Sequence, residues 1–275
     1  MSRKSPAICN ICGTTAVLTD EDVLPSWRRR VLIKSQARLL PIPDKTILRI
    51  CASCNNLMGQ VFEDDSAVLI KRMVGMEKFR LSETDQLTLT RWVIKTDLLL
   101  FVWRFIQGNT FNELPRAGID SAKQTVLAMA RDKDLVPRGS AVRIGRIIPS
   151  GTPHSDYGAI RPVVDPRGPF VQSVGTHGSL IFESLLWANE SAAQYADAAR
   201  PDKRMLVVWP LGEGELSWPP SDSLNADSYN ELRVGHSEVG VGAGFAVYVD
   251  RLTGRSLLAE EMTVGGEPRI SERDF

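Results

Sequence analysis

The sequence predicts an α+β protein with three parts: a small cysteine-bearing module, a helical middle region and a β-rich C-terminal region. Three observations lead to this prediction. All four cysteines of the 275-residue chain stand in two Cys-x-x-Cys pairs. Helical patterns dominate between residues 57 and 131, and short β-branched runs separated by Gly and Pro begin at residue 139. The expected boundaries are 1–62, 63–138 and 139–275.

The cysteine pairs predict a structural zinc site. A gap of two residues lets both thiolates of a pair point at one ion, and two pairs complete the four-sulfur tetrahedron that structural zinc prefers. Cys9, Cys12, Cys51 and Cys54 are the predicted ligands. Disulfides are the alternative, but residues 1–7 do not form an apolar signal peptide, so nothing indicates an oxidising compartment. A redox motif would use one pair and leave the other unexplained.

Between the pairs, we expect two strands and one short helix. Residues 16–19 are rich in β-branched side chains, and residues 46–50 alternate enough to form the strand that leads into the second pair. Pro25 suits the first turn of a helix, which is predicted over residues 26–33.

A longer helix is predicted after the second cysteine pair, from about residue 57 to residue 73, with Gly75 ending it. A knuckle, a hairpin and a helix that starts at the second pair make a treble clef. The sequence therefore predicts a ββα zinc module.

Charge is distributed unevenly along the chain. The net charge is zero, yet nine basic side chains against four acidic ones give residues 1–50 a charge of +5, so the remainder carries −5. This asymmetry is typical of a local contact with a polyanion. Arg28, Arg29 and Arg30 are the candidate phosphate contacts, and a solvated helix face is an equally good interpretation of this run.

The module resembles HNH-type (His-Me finger) endonucleases. A bacterial branch of that family carries patterns like Glu-His-Val-Ile-Pro-x-Trp-Leu and Cys-x-x-Cys-Asn-Asn. This chain has Glu21-Asp22-Val23-Leu24-Pro25-Ser26-Trp27 and Cys51-Ala52-Ser53-Cys54-Asn55-Asn56. The match is strong over the first 60 residues and weaker in residues 81–96 and in the Trp-Pro motifs at 209–210 and 218–220.

The resemblance implies a DNA-cleaving site. In the family, the acidic residue and the residue after the last cysteine hold a divalent metal ion at the scissile phosphate, and the histidine activates the attacking water. By this resemblance Glu21 and Asn55 (or Asn56) are ligands of Mg²⁺ or Mn²⁺. Asp22 replaces the histidine, and an aspartate with an ordinary pKa of about 3.9 is a poor base near neutral pH.

Three functions follow from these observations. The first is an HNH endonuclease-like, zinc-binding, DNA-interacting protein with metal-dependent phosphodiester hydrolysis. The alternative is a catalytically degenerate scaffold that binds DNA through its basic module or a protein partner through its C-terminal part. The third is a structural protein in which zinc only stabilises the fold. The three histidines, at 154, 177 and 236, lie far from the cysteines in sequence, and nothing selects one of them as a base.

Residues 82–131 predict two helices. Ser82 is the predicted N-cap of a long helix that ends near Gly108, and a shorter helix is predicted over residues 121–131. The most apolar run, residues 98–103, is too short to cross a bilayer and predicts a core helix, so no membrane contact is expected.

The remainder predicts an antiparallel sheet, as a sandwich or an open barrel. Its strands are expected at 141–148, 160–164, 170–174, 179–182, 205–209 and 245–249. The glycine-rich run 240–244 predicts a turn, since no convincing helix follows it. Hydrophobic residues make up 43% and charged residues 24% of the chain, which excludes a disordered protein. We expect a cytoplasmic protein of a prokaryote.

Overall fold

The computed structural model describes residues 5–25, 27, 46–107, 116–148, 159–165, 168–186, 204–212, 214–225, 246–249, 256–259 and 270–272. The chain divides into two compact units. The first consists of Met1–Val136 and Glu213–Trp218, and the second of Pro137–Gly212 and Pro219–Phe275. The predicted ranges 1–62 and 63–138 thus fall almost entirely within the first unit. The mixture of helices and strands confirms the α+β class at this level.

The first unit begins with two small antiparallel strand pairs. β1 (Ala7–Ile8) pairs with β2 (Thr15–Ala16), and β3 (Leu18–Asp22) pairs with β4 (Ile47–Cys51). In the second pair Leu18 lies opposite Cys51 and Glu21 lies opposite Leu48. The predicted helix over residues 26–33, with its three arginines, lies outside the described residues except for Trp27.

The helix after the second cysteine pair starts earlier than predicted. α1 (Ala52–Met58) begins directly after Cys51, continues through a π-helical segment (Gly59–Glu63) and passes into α2 (Asp64–Val74). The predicted start near residue 57 is wrong because Cys54 must return towards Cys51 within one helical turn. Gly75 follows the last helical residue, and its N–H donates to the carbonyl oxygen of Lys71 at 2.9 Å.

The long helix forms where it was predicted. α3 (Glu83–Ile106) has Ser82 as its N-cap, and the Ser82 hydroxyl and the Asp85 carboxylate form a reciprocal capping box. Every residue from 89 to 102 is buried, so this stretch forms the core of the unit rather than an amphipathic surface helix. No described helix combines the length and the apolar composition needed to cross a bilayer.

α4 (Arg116–Arg131) starts five residues earlier than the predicted helix. Its C-terminal end is held by α3. The buried Arg91 guanidinium donates to the carbonyl oxygens of Met129, of Asp132 at 2.7 Å and of Leu135 at 3.0 Å. The Met129 carbonyl is one of the last four of α4, which have no partner within the helix, so Arg91 satisfies an acceptor that the helix itself does not.

A second stretch of chain completes the first unit. β5 (Phe79–Leu81) pairs antiparallel with β11 (Leu216–Trp218), two three-residue strands that the sequence did not predict. The indole of Trp218 is buried and donates to the carbonyl oxygen of Met73 at 3.2 Å. The Gln86 amide donates to the carbonyl oxygen of Gly214 at 3.0 Å.

The second unit contains an eight-stranded sheet, whose strands are β6 (Ala141–Arg146), β7 (Ala159–Asp165), β8 (Gly168–His177), β9 (Leu180–Leu186), β10 (Met205–Trp209), β12 (Ala246–Val249), β13 (Ser256–Ala259) and β14 (Ile270–Glu272). Their order in the sheet is β10-β6-β9-β8-β7-β12-β13-β14, and all its described strand pairs are antiparallel. A buried ion pair at 3.0 Å joins Arg143 to Glu183.

A cluster of buried apolar side chains in this unit includes Val174, Ile181 and Met205. His177 is buried on β8, and the other two histidines, like the predicted turn at 240–244, lie outside the described residues. The second unit therefore carries no described histidine exposed for catalysis.

Candidate metal centre and carboxylate site

The four cysteines form one compact group of sulfur atoms. Their Sγ atoms all lie within 4.8 Å of one another, and the Sγ atoms of Cys12 and Cys51 are 3.8 Å apart. Four sulfurs at about 2.3 Å from a central zinc ion would be about 3.8 Å apart along each edge of the tetrahedron. All four thiols are free, whereas a disulfide would need a separation of about 2.05 Å. The arrangement fits a metal ion and not a pair of disulfides.

The first pair is shaped by the turn between β1 and β2. The N–H of Cys9 donates to the carbonyl oxygen of Thr14 at 2.8 Å, and the N–H of Gly13 donates to that of Cys9 at 3.1 Å. Gly13 has φ +75°, a conformation that side chains with a Cβ rarely adopt. This turn places both sulfurs of the pair on one side of the chain.

The second pair comes from the end of β4 and the first turn of α1. The N–H of Cys51 donates to the Sγ of Cys9 at 3.3 Å, a contact that stabilises a thiolate. Asn10 ties the two pairs together, because its Oδ1 accepts from the N–H of Arg49 at 2.8 Å and its N–H donates to the Arg49 carbonyl at 3.0 Å. The hairpin and both knuckles thus form one hydrogen-bonded assembly.

The sulfurs differ in their electrostatic environment. The hydroxyl of Thr14, 3.0 Å from Cys12 Sγ, lowers the pKa of the Cys12 thiol to about 6 despite an opposing contribution from burial. Burial raises the pKa of the Cys54 thiol. A cation at the centre of the group would keep all four sulfurs ionised, because a coordinating thiol is deprotonated. The donor set therefore suits a divalent ion that binds soft ligands.

The predicted catalytic residues lie beside this group, at the end of β3 and the start of α1. The Nδ2 of Asn55 donates to the Oγ1 of Thr19 at 3.2 Å. Thr19 and Glu21 are two residues apart on one strand and so share a face, which places Asn55 and Glu21 on the same side of the hairpin. The amide oxygen of Asn55, the atom that binds cations, takes no part in that bond. Asp22 follows on the opposite face, and its Oδ1 is buried.

Sequence reasoning missed two residues of this site, Glu63 and Lys95. Glu63 ends the π-helical segment, and its Oε1 accepts from the Nζ of Lys95 at 2.7 Å. The side chain of Lys95 has no exposed surface, and that of Glu63 is 15% exposed. The only sequence signal is a lysine in the middle of an apolar helix, and the sequence does not indicate what it pairs with.

The side chain of Glu21 is half-buried, and its pKa is higher than that of an ordinary glutamate. Burial raises its pKa to about 7; the positive charge of Lys95 opposes this effect, and the negative charges of Glu63 and Asp22 add to it. A carboxyl group with this pKa exchanges protons near neutral pH, as an effective general base must. Such shifts are common at functional sites.

We expect Glu21→Gln to stabilise the protein in a pH-dependent manner. The pKa of Glu21 is about 7 in the fold against an ordinary value of 4.5, so the folded chain binds more protons than the unfolded chain between these values. The free energy of unfolding of the wild type should therefore fall as the pH rises through this window. Above pH 7 the cost is on the order of 1–2 kcal/mol after allowance for solvent screening.

Thermal unfolding at pH 5.5, 7 and 8.5 would measure this effect as the difference in unfolding free energy between the variant and the wild type. The titration of the cysteines contributes equally to both proteins and cancels in this difference. The difference should grow with pH. Asp20→Asn, at an exposed position of the same strand, is the matched control and should show no such growth. A difference between Glu21→Gln and wild type that stays constant with pH would contradict the burial of an ionised Glu21.

The segment after β3 is anchored on the long helix. The rings of Trp27 and Trp92 have centroids 6.1 Å apart and planes inclined at 44°. Trp92 and Lys95 are three residues apart on α3, so this helix both contacts Trp27 and supplies a positive charge to Glu63. The site is thus built from the hairpin, the π-helical segment and α3.

Comparisons of the chain with protein-family models, with curated proteins and with solved structures found no match. Function is therefore inferred from the residues and geometry of the site.

Proposed function

We propose that the first unit is an HNH endonuclease-like scaffold of treble-clef type that binds DNA and hydrolyses a phosphodiester bond with a divalent metal ion. The observation that supports this proposal is the hydrogen bond from Asn55, which follows Cys54, to Thr19, on the strand face that Glu21 shares. Glu21 and Asn55 are of the two residue types that hold the catalytic ion in the family the sequence resembles.

Each group has a distinct role in the proposal. The four cysteines hold a structural zinc ion, which fixes β3, β4 and α1 relative to one another. Glu21 and the amide oxygen of Asn55 hold Mg²⁺ or Mn²⁺, an ion that would make a bound water more acidic and balance charge on the phosphate. Asp22 stands where the family has its histidine and accepts the proton of the attacking water.

DNA is proposed to approach the basic N-terminal segment. The charge of +5 over residues 1–50 favours a polyanion, and Arg28, Arg29 and Arg30 supply phosphate contacts from the part of the chain outside the described residues. Binding of this type is largely independent of sequence and weakens steeply with salt.

Nicking of supercoiled plasmid in the presence of Mn²⁺ tests the proposal. Wild-type protein should convert supercoiled to open-circular plasmid slowly, and Glu21→Ala should abolish the conversion because the ion loses its carboxylate ligand. Asp20→Ala, on the same strand but exposed, should retain the wild-type rate. Equal nicking by wild type and Glu21→Ala would refute the assignment of Glu21.

A second candidate is a catalytically degenerate scaffold that binds DNA or a protein partner. The presence of Asp22 in place of the family's histidine favours it, since a carboxylate has little driving force to deprotonate water. In this case zinc keeps its structural role and the second unit supplies the surface for a protein partner. The effect of Asp22→His on the rate of plasmid nicking distinguishes the two candidate functions.

A further inference from the structure

The side chain of Lys95 is fully buried although it carries a charge. Of the lysines in the described part of the chain, it alone is fully buried, and ammonium groups are rarely buried without an ionic partner. Glu63 is that partner, at 2.7 Å. An ammonium group has three N–H donors. Among the described residues Glu63 Oε1 is its one hydrogen-bond acceptor, so two donors remain available for further oxygen ligands.

The π-helical segment brings Glu63 to this lysine. Its extra residue per turn shifts the direction of the side chains that follow, and such segments are frequent at functional sites. The hydroxyl of Ser66, which is fully buried, donates to the carbonyl oxygen of Phe62 and lies 3.3 Å from that of Glu63, so it stabilises this altered turn. The position of the Glu63 carboxylate is thus fixed by the local backbone.

Lys95 also acts on Glu21. Burial raises the pKa of Glu21, and the charge of Lys95 is the one effect that lowers it. The negative charges of Glu63 and Asp22 act on the pKa of Glu21 in the opposite direction to Lys95, and Glu63 is in direct contact with the Lys95 ammonium group at 2.7 Å. Carboxylates are the ligands that Mg²⁺ and Mn²⁺ prefer, and a neighbouring positive charge favours their ionised forms.

We propose that the ammonium group of Lys95 takes the place of a divalent cation at Glu63, so that the site has a permanent internal cation and Glu63 is withheld from metal binding. Lys95 is thus a positioning residue that keeps the catalytic ion at Glu21 and prevents a second ion from binding at Glu63. The inference extends the proposed function, because it concerns the same carboxylates, but it requires no DNA hydrolysis.

Mn²⁺ binding to the zinc-loaded full-length protein tests this inference. Free Mn²⁺ can be counted by electron paramagnetic resonance during a titration at pH 8. Lys95→Met retains most of the buried volume but removes the charge and releases Glu63. Removing one positive charge a few ångströms from a cation site should tighten Mn²⁺ binding about tenfold or more. Lys95→Arg keeps the charge and should bind Mn²⁺ no more tightly than wild type.

The double variant Lys95→Met/Glu63→Gln identifies the ligand, because it should lose the gain seen in Lys95→Met. If Lys95→Met is poorly folded alone, Mn²⁺ should raise its melting temperature and leave that of the double variant unchanged. Unaltered Mn²⁺ affinity in Lys95→Met, a gain retained in the double variant, or a Lys95→Met protein that stays unfolded in Mn²⁺ would each overturn the inference. None of these readouts depends on plasmid nicking, so failure of the proposed function would be seen separately.

Discussion

Cys51→Ser is expected to release the metal ion and unfold the N-terminal module. Cys51 is a member of the four-sulfur group, ends β4 and immediately precedes α1, and its N–H donates to the Sγ of Cys9. Binding of structural zinc is worth about 10–16 kcal/mol in small zinc modules and is itself folding free energy. Loss of one ligand should therefore cost several kcal/mol, a large part of the stability of an ordinary domain.

Native mass spectrometry should find one zinc ion per chain in the wild type and none in Cys51→Ser, with a lower melting temperature by circular dichroism. Ser53→Ala is the matched control, because Ser53 is exposed within the same knuckle and donates no sulfur. It should keep both the zinc and the melting temperature. A folded wild type with four free thiols and no bound metal would refute the zinc assignment.

Asp22→His is expected to increase metal-dependent plasmid nicking by about 10²–10⁴-fold. General acid–base catalysis typically contributes this factor, and a histidine with a pKa near 6.5 accepts protons at neutral pH far better than an ordinary aspartate. The substitution restores the residue type of the family that the sequence resembles, and it leaves Glu21, the next residue on β3, and the bond from Asn55 to Thr19 unchanged.

Asp20→His is the control for this substitution, because Asp20 lies two residues away on the same face of β3 but is exposed. It should leave the rate unchanged. Strong wild-type cleavage that Asp22→Ala eliminates would show that the aspartate itself is the base or a ligand. If neither the wild type nor Asp22→His cleaves the plasmid while fold and zinc are intact, the scaffold is catalytically degenerate and acts as a binding module.

The metal group and the capped helix could be predicted from sequence because each is encoded locally. Cys-x-x-Cys spacing fixes the geometry of a pair, and Ser82 with Asp85 forms a cap from residues three apart. The pairing of β3 with β4 follows from the position of Cys51 opposite Leu18. In each case the residues that determine the structure are near neighbours or are brought together by the cysteines.

The carboxylate site could be predicted only in part. A family resemblance singles out Glu21, Asp22 and Asn55, but Glu63 and Lys95 form a contact across 32 positions of sequence. Their contact depends on the π-helical segment and on the packing of α3, neither of which leaves a local pattern. Arg91 is similar, since its role at the end of α4 depends on carbonyl groups 38 to 44 positions away.

The route of the chain through the first unit has a consequence for its synthesis. Trp218 donates to the carbonyl of Met73 across 145 positions of sequence, and β11 covers an edge of β5. A ribosome adding about 5–20 residues per second needs roughly 7–30 s to make that stretch. During this interval the cysteine-bearing module can already be complete while β5 still presents an unpaired edge, which is a template for pairing with other chains. The nascent protein therefore has an open strand edge after its four cysteines have been made and before its residue 218 emerges.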